Sequence, residues 1–272
     1  MSKKHRAFLK WAGGKYSLSN VIAKMLPQGE CLIEPFVGAG SIFLNTDYPS
    51  YILNDINQDL INIYKILQLK PDAFIQDAKS LFSSENNQSE VYYQFRKEFN
   101  ESDDSYFRSL VFLYMNRHGY NGLCRYNKSG GYNVPFGQYK RLYFPEAELN
   151  FFAEKAQQAT FVCEDYRQTF NRAKAGDVIY CDPPYVPLSK TANFTSYSGN
   201  GFGLDEQADL ANAAEEVSSK KSVVVLISNH DTIWTRKIYE HAVKTKSIQV
   251  ARTISTKGHK REKVAELLAL YK

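Results

Sequence analysis

The sequence predicts an α/β protein: a largely parallel sheet with helices on both faces, interrupted by a mainly helical insertion. Short apolar runs alternate with longer patterned segments over most of the chain. Glycines stand where a strand would hand over to a helix, and residues 57 to 144 abandon the rhythm. With 272 residues and 43% hydrophobic content, the chain can form one large domain carrying such an insertion.

Taken in order, "FLKWAGGKYSL" is an arm with a helix expected after Gly14. "CLIEPFVGAGSIFLNT" reads as a strand (31 to 34), a glycine turn and a helix from Ser41, and "YILNDIN" as a second strand. "DLINIYKILQL", "VYYQFRKEF" and "FRSLVFLYMNRHG" carry helical periodicity within the insertion. After them comes the irregular "YNGLCRYNKSGGYNVPFGQYKRLYFP", in which "KSGG" marks a hairpin turn. "DVIYCD", "VVVLISNH", "SIQVARTI" and "VAELLALY" supply four further strands, with "LDEQADLANAAEEVSSK" and "TIWTRKIYEHAV" as helices between them. The polar "STKGHKREK" joins the last two strands as an antiparallel hairpin at one end of the sheet. Asp231 is expected to cap the helix that comes after it, and His230 to be structural.

Charge is arranged unevenly. The net +5 is exceeded by one segment: from 105 to 145 there is no Asp or Glu, and Arg108, Arg117, Arg125, Lys128, Lys140 and Arg141 contribute six positive charges. The same region is rich in aromatics, 15 in the 53 residues from 92 to 144, twice the chain-wide 14%. Such a field suits a polyanionic partner. A second basic face is offered by Lys3, Lys4, Arg6, Lys10, Lys15 and Lys24, all ahead of the first acid, Glu30. The longest aliphatic run, 223 to 227, is far short of a membrane span, and the basic start lacks a signal-peptide core. A cytoplasmic protein with no membrane partner is therefore expected. Cysteines 31, 124, 163 and 181 show neither CxxC pairing nor metal-ligand spacing, so reduced thiols and no metal are expected.

Two motifs carry chemistry. Gly38-Ala39-Gly40 between strand and helix lets a ligand approach the backbone near a helix N-terminus, although a plain tight turn has the same pattern. Asp55, at the end of the next strand, is placed to accept a ribose's two hydroxyls, which favours a nucleoside-type cofactor. Trp11 and Lys15 could fold over that pocket, with Lys15 offering its charge to a carboxylate. "VIYCDPPYVPL" sets Asp182 at the carboxyl end of another strand, the edge where open α/β sheets collect ligands. The two prolines stiffen the backbone immediately after it. An ordinary strand-ending turn would also use Asp and Pro. In a functional setting, Asp182 and the Pro183 carbonyl supply two acceptors for the N–H bonds of a ring-conjugated amino group, and Tyr185 a surface for stacking. Gripped in that way, the nitrogen turns its lone pair on an electrophile.

"FLKWAGGK", "EPFVGAGS", "LNDIN", "DPPY" and "ANFTSY", in this order, resemble the Dam-type DNA adenine-N6 methyltransferases over essentially the whole chain. The resemblance implies a Rossmann-like methyltransferase sheet, S-adenosylmethionine as methyl donor with S-adenosylhomocysteine as product, and double-stranded GATC as substrate. It further implies extrusion of the target adenine, no metal, and association with nucleoid DNA; a monomer is expected because no exposed heptad is evident. Residues 1–56 and 145–272 would then form the catalytic domain and 57–144 the target-recognition domain. Asp182, Pro183 and Tyr185 match the family's catalytic motif. Trp11, Lys15, Phe36, Gly38, Gly40 and Asp55 match its cofactor positions, with Asp165 and Tyr166 beside the cofactor's adenine. Lys10 corresponds to a base-contacting lysine. Tyr120, Asn121, Leu123 and Arg125 correspond to residues that wedge into and read the duplex, a surface extended by Pro135 and Tyr139. Arg96, Arg117, Asn127 and Asn133 match phosphate contacts. Two other readings are a nucleotide-dependent oxidoreductase using the glycine turn, and a DNA-binding protein with a vestigial site.

Overall fold

The computed structural model describes residues 4–185, 202–251 and 263–272. Its centre is a seven-stranded sheet: β1 (Cys31–Glu34), β2 (Ser50–Asn54), β3 (Ala159–Val162), β4 (Val178–Cys181), β5 (Val224–His230), β6 (Lys244–Ala251) and β7 (Lys263–Tyr271). The spatial order is β3-β2-β1-β4-β5-β7-β6, parallel from β3 through β5, with β7 antiparallel to both of its neighbours. This is the Rossmann-like methyltransferase arrangement expected, with the final hairpin at one end. The order reverses between β2-β1 and β4, which opens a crevice at the carboxyl edge of those strands. Strands β1 and β4 are buried throughout, as befits a sheet covered on both faces.

The helices are α1 (Ser19–Ala23), α2 (Gln58–Leu69), α3 (Pro71–Ser80), α4 (Ser89–Glu101), α5 (Ser105–His118), α6 (Glu146–Lys155), α7 (Tyr166–Arg172), α8 (Leu204–Lys221) and α9 (Ile233–Ile238). No helix among the described residues is long and apolar enough to cross a membrane. The α2 start is fixed by Asn57, whose side chain accepts from the Leu60 N–H, and the α5 start by Asp104, which accepts from Tyr106 and Phe107. One apolar cluster runs from Leu32 and Leu53 of the sheet through Tyr64 of α2 to Phe112 of α5 and Tyr132. A second, on the opposite face, packs Ile33, Ile179 and Ile227 against Leu210 and Ala214 of α8.

Several local expectations need correction. The glycine turn leads into a single 3-10 turn at Phe43–Asn45 in place of a helix from Ser41. The N–H groups near that turn are largely spent locally, Gly40 N–H on Val37 and Leu44 N–H on Gly40. Strand β3 and helices α3, α6 and α7 were not expected. "ATFV" is short, and half of it faces outward. Thr232, not Asp231, caps α9, its hydroxyl accepting from the Thr235 N–H. Asp231 instead holds Arg236 through two bonds of 2.6 Å and accepts from Ser247. The hairpin turn expected at "KSGG" is present, closed by Asn127 N–H on the Gly131 carbonyl and Gly130 N–H on the Asn127 carbonyl and flanked by the antiparallel bridge of Tyr126 with Tyr132, without a longer ladder. The "ANFTSY" stretch lies outside the described residues.

Candidate active site and nucleic-acid interface

The carboxyl ends of β1, β2 and β4 each present an acid. Glu34 ends β1, Asp55 comes after β2 and Asp182 after β4. Asn54, buried at the end of β2, ties this edge together: its amide donates to the Pro35 and Glu164 carbonyls at 2.9 and 3.0 Å, and its oxygen accepts from the Glu164 N–H. The glycine turn is fixed from two sides. Gly38 N–H donates to Asp55 Oδ2 at 3.1 Å, and the Tyr64 hydroxyl donates to the Gly38 carbonyl. Gly38 and Gly40 adopt φ of +48° and +72°, and a side chain on Gly38 would strike the Trp11 indole at 2.9 Å. Trp11 therefore lies directly on the turn. Desolvation raises the Asp55 carboxyl to about 6, against the pull of the Asn57 and Gly38 N–H groups.

Beside this edge stand three rings. Phe36 is 5.5 Å from both Tyr166 and Phe202, and Tyr166 is 5.7 Å from Phe202. Asp165 caps α7 through the Arg167 N–H and keeps its carboxylate half exposed. Glu34, which sequence reasoning passed over as part of a strand, is buried. Desolvation lifts its carboxyl to about 8, assisted by the nearby Asp182 charge and resisted by the Phe43 N–H. Its Oε1 has no hydrogen-bond partner among the described residues. An edge with carboxyl groups at three strand ends and an aromatic wall beside them suits a ligand that carries hydroxyls and a heteroaromatic ring.

Asp182 is anchored on one oxygen. Lys15 Nζ and Ser228 Oγ both reach Oδ1 at 3.0 Å, and among the described residues no hydrogen bond is made to Oδ2. Ser228 is buried on β5 and also meets the Tyr180 hydroxyl at 3.0 Å. Lys15, buried in a 3-10 turn at Lys15–Ser17, donates to the Gly13 carbonyl at 2.9 Å and lies 4.4 Å from the centre of the Tyr185 ring. The carboxylate met by Lys15 is thus the protein's own. Tyr185 packs edge-on against His230 at 4.8 Å, and its hydroxyl donates to Glu266 at 2.9 Å. The Pro184 carbonyl accepts from Gln207 of α8 at 2.5 Å, and Asn229 holds that same glutamine at 2.8 Å. The rigidity of this turn comes from α8 and β5 as well as from its prolines. Ser228, Gln207 and Glu266 carried no signal in the sequence, because strand pairing brings Ser228 and Glu266 here and the packing of α8 brings Gln207.

The second surface is built from the N-terminal arm and the segment after α5. Lys10 and Asn116 exchange two hydrogen bonds of 2.8 Å, fastening the arm to α5. Gly122, at φ +60°, leaves room for the Lys10 side chain, with which any Cβ at that position would collide. Lys10 Nζ donates to the Arg117 carbonyl and lies 4.1 Å from the centre of the Tyr139 ring. Desolvation and the Arg117 charge lower the Lys10 pKa. Tyr139 in turn accepts from the Asn121 N–H at 2.8 Å, holding Asn121 at φ +54°. Tyr120, next to it, is 46% exposed, and its N–H donates to the Pro135 carbonyl.

Leu123 is half-buried against the core, its carbonyl accepting from Tyr132. Arg125 is exposed and oriented by Asn133, which accepts through its side chain at 2.7 Å and its backbone at 3.0 Å. The Asn127 side-chain oxygen is spent on the turn, accepting from Ser129 and Gly131. Arg96 donates to the Val134 carbonyl, and Arg117, partly buried, to the Tyr143 carbonyl. Arg108 is different. It pairs bidentately with Asp59 at 2.8 and 3.0 Å and donates to the Phe99 and Ser102 carbonyls, so its charge is structural. Tyr126 donates to that same Asp59 at 2.6 Å, locking the start of the loop to α2.

A family model described as D12 class N6 adenine-specific DNA methyltransferase matches residues 11–254. The chain is similar to proteins called DNA adenine methylase along nearly its full length. That of Vibrio cholerae serotype O1 is 62% identical over 269 residues, 99% of this chain and 97% of the relative. That of Escherichia coli K12 is 59% identical over 270 residues, 99% of this chain and 96% of the relative. The Serratia marcescens protein is 59% identical over 270 residues, covering 99% of this chain and all of its own length.

Proposed function

Because the chain belongs to the D12 class N6 adenine-specific DNA methyltransferases, we propose that it transfers a methyl group from S-adenosylmethionine to an extruded adenine in double-stranded GATC. The observation that carries this is the one-sided anchoring of Asp182: Lys15 and Ser228 hold Oδ1, which presents Oδ2 to an incoming amine. An oxidoreductase would leave this motif without a role.

The donor, when bound, supplies a methyl group on a sulfonium, a strong electrophile. Phe36, Tyr166, Asp165 and Asp55 would hold its nucleoside, and Trp11 would close the glycine turn made by Gly38 and Gly40. Asp182 and the Pro183 carbonyl accept the two N–H bonds of the adenine amine. That grip withdraws the nitrogen lone pair from the ring and directs it at the methyl carbon, so the protein contributes position and charge and forms no covalent intermediate. Lys15 covers one face of Tyr185, so the adenine stacks on the other.

An adenine amine inside a duplex is unreachable, so the base must leave the stack, and an exposed aromatic can fill the gap. Tyr120 takes that part. Arg125, aimed by Asn133, reads a guanine through its O6 and N7 acceptors. Lys10 reaches base edges from the arm. Arg96, Arg117, Asn127 and Asn133 neutralise or hydrogen-bond the backbone, with Asn121, Leu123, Pro135 and Tyr139 shaping the surface. On this reading residues 57–144 form the recognition domain and 1–56 with 145–272 the catalytic one. The protein works as a cytoplasmic, DNA-associated monomer.

Incubation with tritiated S-adenosylmethionine and duplexes differing only at GATC tests the reading. Label should appear as N6-methyladenine in the GATC duplex alone. Equal label in a duplex lacking the site removes the specificity, and no label in either removes the donor.

A further inference from the structure

The Tyr185 hydroxyl is held by a strand that sequence order places far from it. Its acceptor, Glu266 Oε2, lies 2.9 Å away on β7, 81 positions along the chain. The same oxygen is 3.9 Å from Lys15 Nζ, the ammonium that holds Asp182. Glu266 pairs in register with His230 of β5, and His230 is the ring against which Tyr185 packs edge-on. Three elements thus converge on one phenol: Lys15 over its face, His230 at its edge and Glu266 on its hydroxyl. A ring fixed at face, edge and tip has one orientation, and a stacking surface is useful in transfer only when its orientation is set in advance.

Resting on the role proposed for Tyr185, we propose that Glu266 is a positioning residue for methyl transfer. Its carboxylate fixes the Tyr185 hydroxyl and, through Lys15, the anchored oxygen of Asp182. Burial and the nearby carboxylates keep the phenol well above its ordinary range, so it remains the donor in this bond. Placement on β7 explains how a C-terminal hairpin strand, inserted antiparallel between β5 and β6, contributes to a site otherwise assembled from the parallel strands.

The test crosses Glu266→Ala and Glu266→Gln with Tyr185→Phe in the full-length protein, read by single-turnover methylation and by duplex and donor affinities. Glu266→Ala should slow transfer about 10-fold or more while both affinities stay within about three-fold. Tyr185→Phe deletes the same hydrogen bond, so the double variant should be no more than about two-fold slower than the slower single variant. Glu266→Gln retains an acceptor oxygen and should recover at least about a third of the wild-type rate. Multiplicative losses in the double variant, an unimpaired Glu266→Ala, or a glutamine variant as slow as alanine overturns the role. If alanine at this position impairs folding, Glu266→Leu, which keeps the side-chain bulk and has no acceptor, takes its place in the same crosses. Failure of the underlying reading is distinct: the wild-type protein would then methylate no adenine at all.

Discussion

Lys15 Nζ sits 3.0 Å from Oδ1 of Asp182, a largely buried ion pair between the N-terminal arm and the end of β4. Residues 10 and 11, on the same arm, face the loop after α5 and the glycine turn respectively, as Lys10 against Gly122 and Trp11 against Gly38. One short segment therefore touches the two surfaces that must act together, and the chemistry depends on how Asp182 is held.

Ser228 is the partner of Asp182 with no other claim to the reaction. Ser228→Ala removes one donor to Oδ1 and should lower kcat about ten-fold, the rate equivalent of roughly 1.4 kcal/mol. The KM for DNA should not change. Steady-state kinetics checks this, and an unchanged kcat would mean that Lys15 alone orients the carboxylate.

Glu34 makes a prediction about pH. Its carboxyl is raised from 4.5 to about 8 in the folded protein, so between those values the folded state holds a proton that the unfolded chain has lost. The stability from this group is present below about 4.5 and is lost as pH rises through about 8, by up to roughly 5 kcal/mol. Glu34→Gln should therefore gain thermal stability relative to wild type at pH 8.5 and show no such gain at pH 4.5. A difference independent of pH would show that Glu34 is ionised in the fold.

The basic residues divide by their partners. Arg108→Ala strands the Asp59 carboxylate and should cost about 3 kcal/mol of stability without altering the salt dependence of DNA binding. Arg141→Ala should leave stability unchanged and reduce the slope of log K against log salt by about one. Urea unfolding, with binding titrations between about 50 and 200 mM salt, separates the two. The reverse pattern would exchange their roles.

Arg125→Ala should relax discrimination at one guanine by about 1 to 3 kcal/mol, and weaken binding to unrelated duplex far less. Competition between GATC and single-substitution duplexes reads the difference. An equal loss on all duplexes would make Arg125 a phosphate contact.

Much of the carboxyl edge of the sheet was legible in the sequence because its parts are local. A strand, a glycine turn and an acid recur in "EPFVGAGS" and "LNDIN", and "DPPY" announces itself by composition. The fold class emerged from the alternation of strands and helices. What was illegible depends on contacts between distant segments. Strand β3 has too short an apolar pattern to distinguish it from a turn. Ser228 and Glu266 read as ordinary strand residues until β4, β5 and β7 lie side by side. Arg108 looked like part of the basic footprint, since nothing in its neighbourhood reveals that Asp59, 49 positions away, consumes its charge. Glu34 was hidden by its strand: a carboxyl in an apolar run becomes notable only once burial leaves one oxygen without a partner.

The proposed chemistry turns above all on Asp182 as the group that grips the adenine amine. Single-turnover methylation of a GATC duplex by Asp182→Ala, with duplex affinity measured alongside, tests it most directly. Transfer should fall by about 10³-fold or more while affinity stays within about three-fold. Transfer near the wild-type rate would contradict it.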